Sequence, residues 1–134
     1  MIIFVLGQII DRFLIKPIFD QKQIIGEILD ALIFYANIYS NPYTTGDQSK
    51  HDDASHRIRG LASSLLVKTN LVPGYKLLSK LRVTIKRDNI SKAHTELIRL
   101  SNSLYSHHSQ VINIGMQNSD TANTIKKYLN NNFN

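Results

Sequence analysis

The stretch from Phe19 to Pro42 constrains the fold of this chain more than any other, because its apolar residues keep a helical spacing over most of its length. The apolar positions that recur at steps of three and four are Ile25, Ile28, Leu32, Tyr35 and Tyr39. A stripe this broad predicts a helix that packs against two or three neighbours. Asp20 is placed to accept hydrogen bonds from the unpaired amides of the first turn, and Asn41 before Pro42 is expected to end the helix.

Three later segments also have helical periodicity, and no stretch alternates apolar and polar residues long enough to predict a strand. The first predicted helix starts among residues 49–53 and ends near Lys68. The second runs from Tyr75 to about Ile85, and the third from Ile90 to Tyr105. The sequence therefore predicts an all-α fold. We expect a bundle of four or five helices, with an apolar N-terminal helix partly or wholly outside the compact part.

The composition fits one domain of moderate size. The chain has 134 residues, of which 43% are apolar, and this is enough for an ordinary core. It has no cysteine, which excludes a disulfide framework and a thiolate metal site. We expect residues 17–105 to form the bundle and residues 106–134 to form a polar helical extension, whose asparagine-rich end from Asn130 to Asn134 frays.

The first ten residues are almost all apolar, and apolar residues resume after Asp11 and Arg12. Ten helical residues span about 15 Å, roughly half the hydrocarbon thickness of a bilayer, so the run is too short to cross one. We predict that residues 1–16 form a helix that packs within a protein or oligomer, or else lies in a membrane interface. Lys16 and Pro17 mark a kink or joint into the central helix. The candidate membrane-anchor residues are Phe4, Leu6, Ile10 and Phe13.

Positive charge is concentrated in the second half of the chain. Sixteen Lys and Arg against ten Asp and Glu give a formal charge of +6. Between Arg57 and Lys92 there are nine basic residues and one acid, Asp88, so this segment carries +8 and the remainder −2. Such a field can steer the phosphates of lipid or nucleic acid, and it is equally typical of a solvated helix face. The candidate phosphate contacts are Arg12, Lys16, Lys76, Lys80, Arg82, Lys86 and Arg87.

The densest set of potential metal ligands lies between His51 and His56. Asp52 and His56 are four residues apart and share a helix face, a spacing that can hold a metal ion. Two ligands do not make a site, and the sequence nominates no third. We therefore interpret the acids as helix caps and His56 as a boundary residue, and we predict no metal.

Glu27 and Asp30 are spaced like the carboxylates of helical di-metal proteins. Those sites also need carboxylate-histidine pairs on partner helices, which this chain does not supply. Glu27 is expected to face solvent or to pair with Arg57, Arg59 or a backbone amide. His107 and His108 are adjacent and so point in different directions on any helix.

Helical ribonucleases of the HEPN type carry an Arg, four to six residues and then a His late in the chain. Here Arg99 and His107 are separated by seven residues, so the motif fails. The chain also has no Gly-rich phosphate loop, no nucleophile elbow and no ordered Ser, His and Asp arrangement. We predict no catalytic residue and no cofactor.

Several short signatures together resemble a group of uncharacterised bacterial proteins that have a single N-terminal transmembrane helix and a small cytoplasmic helical domain. The matching residues are Lys16-Pro17, Ile25-Gly26-Glu27-Ile28, Tyr35-Ala36-Asn37, Asn41-Pro42, Arg59-Gly60-Leu61-Ala62, Val72-Pro73-Gly74-Tyr75 and Leu97-Ile98-Arg99-Leu100-Ser101-Asn102. The resemblance covers residues 16–104 and implies a location, with no known activity. It implies a close helix approach at Gly26, and hydrogen bonds from Asn37 and Asn102 at helix ends or between helices.

This chain departs from that pattern because its apolar run is too short for a full span. Either residues are missing upstream, or the helix anchors only at the interface. We predict a non-catalytic, membrane-associated helical domain on the cytoplasmic face of the inner membrane, with anionic lipid and a protein partner or a second copy as its binding partners. The second hypothesis is a soluble bundle that binds nucleic acid with the same cations, its N-terminal helix buried in a dimer. The third is a metal-dependent or ribonuclease-like enzyme.

Overall fold

The computed structural model describes residues 1–42, 47–105 and 113–130. Every regular element within those ranges is helical, so the all-α prediction is confirmed. Helix α1 (Ile2–Ile10) continues through a π-helical turn (Asp11–Ile15) into α2 (Lys16–Phe34). The later helices are α3 (Ala36–Ser40), α4 (Gln48–Asn70), α5 (Tyr75–Lys80), α6 (Arg87–Tyr105) and α7 (Ile114–Leu129).

Pro17 does not interrupt the helical path at the predicted joint. The backbone stays right-handed helical at Asp11 and at Lys16, and Pro17 occupies the first turn of α2. A proline ring normally presses against the turn that precedes it, and the wider π-helical turn lies at that place. The chain from Ile2 to Phe34 therefore has no loop between its apolar start and the bundle.

The predicted single helix from Phe19 to Asn41 is wrong in two respects. It breaks at Tyr35, where ψ rises to 10° between α2 and α3. The Tyr39 hydroxyl donates to the carbonyl oxygen of Leu32 at 2.7 Å, so a local side-chain hydrogen bond spans the break. Asp20 lies inside α2 instead of capping it.

Helix α4 is slightly longer than predicted, and α5 is shorter. The Asp47 side chain accepts from the backbone amide of Ser49 at 3.1 Å and caps α4. Helix α5 was expected to reach Ile85 but ends at Lys80, because Arg82 adopts a left-handed conformation with φ of 59°. The backbone then turns towards α6, which starts at Arg87 rather than Ile90.

The core lies between α4 and α6, with α2 packed on α4, and with α7 packed on α6 and α3. Two small residues let α4 and α6 approach closely. Ser55 Oγ donates to the carbonyl oxygen of Ser101 at 2.8 Å, and Ser101 Oγ donates to that of Ser55 at 2.9 Å. Because both hydroxyls are buried and satisfied, this pair holds the helices together without leaving an unpaired polar group.

The core extends beyond the predicted bundle boundary at residue 105. Helix α7 contributes Ala122, Ile125 and Leu129 to the same cluster of buried side chains. Buried Asn118 donates to the carbonyl oxygen of Tyr39 at 3.0 Å and accepts from Ser103 Oγ at 2.7 Å. The predicted frayed end is outside the described residues beyond Asn130.

Two glycines have contrasting surroundings. Gly26 was expected to allow a close helix approach, and that prediction is wrong, because it is exposed and a Cβ atom there would meet nothing within 4 Å. At Gly115 a Cβ atom would overlap the carbonyl oxygen of Ser40 and lie 3.3 Å from Pro42 Cδ. At Gly115, α7 therefore passes too close to the end of α3 for a side chain.

Tyr39→Phe is expected to lower the free energy of unfolding by about 1 kcal/mol at pH 7, because the hydrogen bond to Leu32 is lost. Burial raises the pKa of Tyr39 above its ordinary value of 10.0. The unfolded chain therefore loses this proton first, and the stability it contributes is complete below about pH 10 and is lost as pH rises through the folded-state pKa. Urea unfolding of both proteins at about pH 7 and pH 11 should show the difference shrinking at the higher pH. An unchanged difference would contradict the burial effect.

Candidate functional site

Helix α1 presents a continuous apolar surface with no buried residue. The predicted anchor residues are all exposed, with 70% of Phe4, 52% of Leu6, 50% of Ile10 and 67% of Phe13 accessible. Within the described ranges, the apolar core takes no side chain that precedes Ile24. The first 23 residues therefore leave their apolar side chains outside the bundle core.

None of the helices described is long enough and apolar enough to cross a membrane. Helix α1 has nine residues, about 14 Å of helix, and the charged residues Asp11 and Arg12 follow it directly.

Arg12 and Lys16, the first two predicted phosphate contacts, lie where α1 joins the bundle. They line a cavity of about 90 Å³ together with Asp20, Lys68 and Leu71. Lys16 Nζ lies 3.1 Å from Asp20 Oδ2, and Lys68 Nζ lies 4.0 Å from the same oxygen. One carboxylate therefore faces two ammonium groups here, and a net positive charge remains beside α1.

Three other predicted cations, Lys76, Lys80 and Arg87, line one larger cavity of about 580 Å³. Its other lining residues are Val72, Gly74, Tyr75 and Leu77. Lys76 and Lys80 are four residues apart on α5 and share a face. Their side chains form no ion pair with any carboxylate in the described part of the chain.

Arg87 is held in place from two directions. Its Nη1 donates to Asn70 Oδ1 at 3.0 Å, and its guanidinium lies over the Tyr75 ring, 5.0 Å from the ring centroid. The last two predicted cations, Arg82 and Lys86, are exposed on the connection from α5 to α6 and do not line this cavity. The structure thus divides the predicted phosphate contacts into a group beside α1, a group in the cavity and two residues on the adjoining loop.

Buried Gln21 connects the first turns of α2 to the loop that forms the cavity. Its amide Nε2 donates to Thr69 Oγ1 and to the Tyr75 hydroxyl, each at 2.9 Å. Those hydroxyls donate in turn to the carbonyl oxygens of Leu65 and Ile85. The cavity therefore lies at the end of the bundle from which α1 extends.

Sequence reasoning missed Gln21 and Tyr75 as organising residues. Gln21 stands four and seven residues before Ile25 and Ile28, on the apolar stripe of the central stretch. A polar residue on such a stripe indicates a buried hydrogen-bond network. No comparable signal in the sequence pairs it with Tyr75.

Exposed apolar residues surround the basic groups at this end of the molecule. The accessible fractions are 60% for Leu71, 62% for Leu77 and 63% for Leu81. Leu71 lines the small cavity with Arg12, and Leu77 lines the large one with Lys76. Apolar and basic side chains are therefore interleaved on one surface, which we call the basic-apolar end and define by Arg12, Lys16, Leu71, Lys76, Leu77, Lys80, Leu81 and Arg87.

The residues weighed as metal ligands do not converge. Across the described ranges no group of three or more His, Asp or Glu side chains could hold a metal ion. Asp52 accepts from the Gln48 side chain at 2.9 Å, and the His56 ring packs edge-on against Tyr105 with 6.2 Å between centroids. His51 Nδ1 lies 3.2 Å from the carbonyl oxygen of Asp47. His107 and His108 are outside the described residues.

Two predicted pairings between helices are present. Arg57 Nη2 lies 3.5 Å from Glu27 Oε2, which joins α4 to α2 and confirms the pairing expected for Glu27. Arg59 donates to Asn102 Oδ1, which joins α4 to α6 as the resemblance implied for Asn102. Both contacts are at the surface, so they orient the helices more than they stabilise them.

Within the described ranges the fold is all-α, and the side chains of α1 lie outside the apolar core. No family model matches the chain, and neither the curated proteins nor the solved structures give a match.

Proposed function

We propose that this protein is a non-catalytic helical domain held at a membrane surface, with α1 as its apolar anchor. The observation that carries this proposal is the exposure of α1, nine consecutive residues with high apolar content and no buried side chain. Contiguous apolar surfaces of this kind mark sites of association, because water does not solvate them favourably. Residues 1–16 act as the anchor, and helices α2 to α7 form the compact part.

The charge distribution supports a membrane as the surface that covers α1. Arg12 and Lys16 directly follow the apolar segment, and the cavity cations lie at the same end of the bundle. Basic side chains beside an apolar anchor are typical of helices bound to anionic lipid, where each contributes about 1 kcal/mol. We place the domain on the cytoplasmic face of the inner membrane, where it acts by binding a protein partner or a second copy.

Phe4→Gln/Ile10→Gln in the full chain is expected to weaken co-sedimentation with phospholipid vesicles roughly 30-fold. Each apolar side chain that loses partial burial at the interface costs about 1 kcal/mol, and glutamine keeps both the helix propensity and the net charge. The matched control is Ile33→Gln/Phe34→Gln, which removes the same two residue types from exposed positions at the far end of α2. The control should bind as the unmodified chain does.

Three results would contradict the proposal. Equal losses of vesicle binding in both variants would show that binding depends on general surface hydrophobicity and not on α1. A chain that binds neither anionic nor neutral vesicles would exclude the membrane. A soluble dimer that Phe4→Gln/Ile10→Gln dissociates, together with binding to DNA or RNA, would favour the nucleic-acid hypothesis instead.

A further inference from the structure

The cavity lined by Lys76, Lys80 and Arg87 has the composition of a site for a phosphate group attached to an apolar molecule. Three cations and no carboxylate are among its lining residues. A phosphate oxygen could accept hydrogen bonds from both ammonium groups and from the guanidinium, which are strong because donor and acceptor are both charged. The volume of about 580 Å³ is ample for a lipid head group.

The guanidinium of Arg87 is positioned before any ligand arrives. The Tyr75 ring beneath it and Asn70 beside it restrict its orientation. Tyr75 is itself fixed by Gln21 and by its own bond to the Ile85 carbonyl oxygen. Less side-chain freedom is therefore lost on binding than at a cation on a mobile loop.

The apolar wall of the cavity favours a lipid over a water-soluble phosphate. Val72 and Leu77 line it alongside the lysines, and Leu77 is 62% exposed. Leu81, which follows α5 directly, is 63% exposed. A soluble anion would gain nothing from these side chains, whereas the glycerol and acyl segments of a lipid would bury them. The cavity also lies at the end of the bundle from which α1 extends, because Gln21 in the first turns of α2 bonds to the Tyr75 hydroxyl in its lining.

We infer that this cavity binds the phosphate head group of an anionic lipid, with Leu77 and Leu81 inserted beside it. The inference rests on the proposed membrane location and adds to it a specific second point of attachment. Helix α1 then supplies affinity for any bilayer, and the cavity supplies preference for a bilayer that carries phosphate charge.

Lys76→Gln/Lys80→Gln is expected to reduce binding to phosphatidylcholine vesicles that contain phosphatidic acid. Each lysine removed should cost roughly fivefold, about 30-fold together, while binding to pure phosphatidylcholine stays unchanged. The matched control, Lys50→Gln/Arg57→Gln, also removes two exposed positive charges, but from the first half of α4. It should reduce binding by less than about threefold, because distant charges are screened by salt.

The outcomes separate this inference from the proposed function. Equal losses of vesicle binding in the two charge variants would overturn the cavity as a specific lipid site. The attraction would then come from the net positive charge of the whole domain, and the proposed membrane binding would stand. Failure of the full chain to bind phosphatidylcholine at all would overturn the proposed function of α1. In that case the cavity would still be supported as a lipid site if the unmodified chain bound phosphatidic acid vesicles and Lys76→Gln/Lys80→Gln abolished this binding.

A second measurement distinguishes the source of the phosphate. Amide resonances of Tyr75, Leu77 and Arg87 should shift on titration with short-chain phosphatidic acid and change little with the same concentration of inorganic phosphate. Equal shifts with both would overturn the lipid assignment in favour of a soluble phosphate. Shifts with an oligonucleotide alone would assign the surface to nucleic acid.

Discussion

Gly115→Ala is expected to destabilise the fold by about 3 kcal/mol, at the upper end of the usual cost of overpacking. The new methyl group would overlap the Ser40 carbonyl oxygen and lie 2.9 Å from the Ser40 carbonyl carbon. Both are backbone atoms, so no side-chain rotation relieves the clash. The first turn of α7 must move away from α3, and the bond from Asn118 to the Tyr39 carbonyl oxygen is then lost as well.

Urea unfolding of Gly115→Ala, followed by circular dichroism, measures this loss directly. The control is Gly60→Ala in the exposed middle of α4, where a Cβ atom would meet nothing within 4 Å. Alanine there should stabilise the protein by about 0.5–1 kcal/mol, because glycine has the greater freedom to lose on folding. A neutral or stabilising effect of Gly115→Ala would mean that α7 does not pack on α3 as described.

Leu97→Ala is expected to lower the free energy of unfolding by about 3 kcal/mol. Leu97 is 1% exposed and belongs to α6, which packs between α4 and α7. Truncation removes the transfer free energy of the buried side chain and leaves a cavity that the helices around it fill only in part. Since a domain of this size has a total stability of only about 5–15 kcal/mol, the loss should be plain in the unfolding midpoint.

Leu77→Ala provides the matched control, since the same truncation is made at a side chain that is 62% exposed. Its effect on the free energy of unfolding should stay below about 0.5 kcal/mol. A large effect at Leu77 together with a small one at Leu97 would contradict the assignment of inner and outer faces. Comparison of the urea m-values tests whether both variants still unfold from the same compact state.

The periodic segments were the predictable part of this fold. Helices α4 and α6 were placed within a few residues because their core side chains keep the helical period along continuous stretches. The break at Tyr35 could not be foreseen, because it depends on a hydroxyl that reaches back to Leu32 across the break. The early end of α5 likewise depends on the left-handed conformation of Arg82. Arginine has no preference for that conformation, so the sequence does not predict it.

The charged side chains of the candidate site were visible in the sequence, but their grouping was not. Lys76 and Lys80 share a face by spacing alone, whereas Arg87 joins them only because Tyr75 and Asn70 hold it there. Gln21 connects distant parts of the chain, and such contacts leave no local pattern beyond a polar residue on an apolar stripe. The membrane, its lipid and the protein partner stay predictions for the experiments above.

The uninterrupted helical path from Ile2 to Phe34 has a mechanical consequence. A domain tethered by a flexible linker reorients freely about its attachment point, but here a stiff rod joins the attachment to the bundle. A surface or partner that binds α1 therefore also sets the tilt of α2, and with it the orientation of the whole domain. Helix α2 alone is about 28 Å long. Ile33 and Phe34, at its end, therefore lie at a fixed distance and in a fixed direction from the bound α1. The bundle therefore keeps one orientation relative to α1.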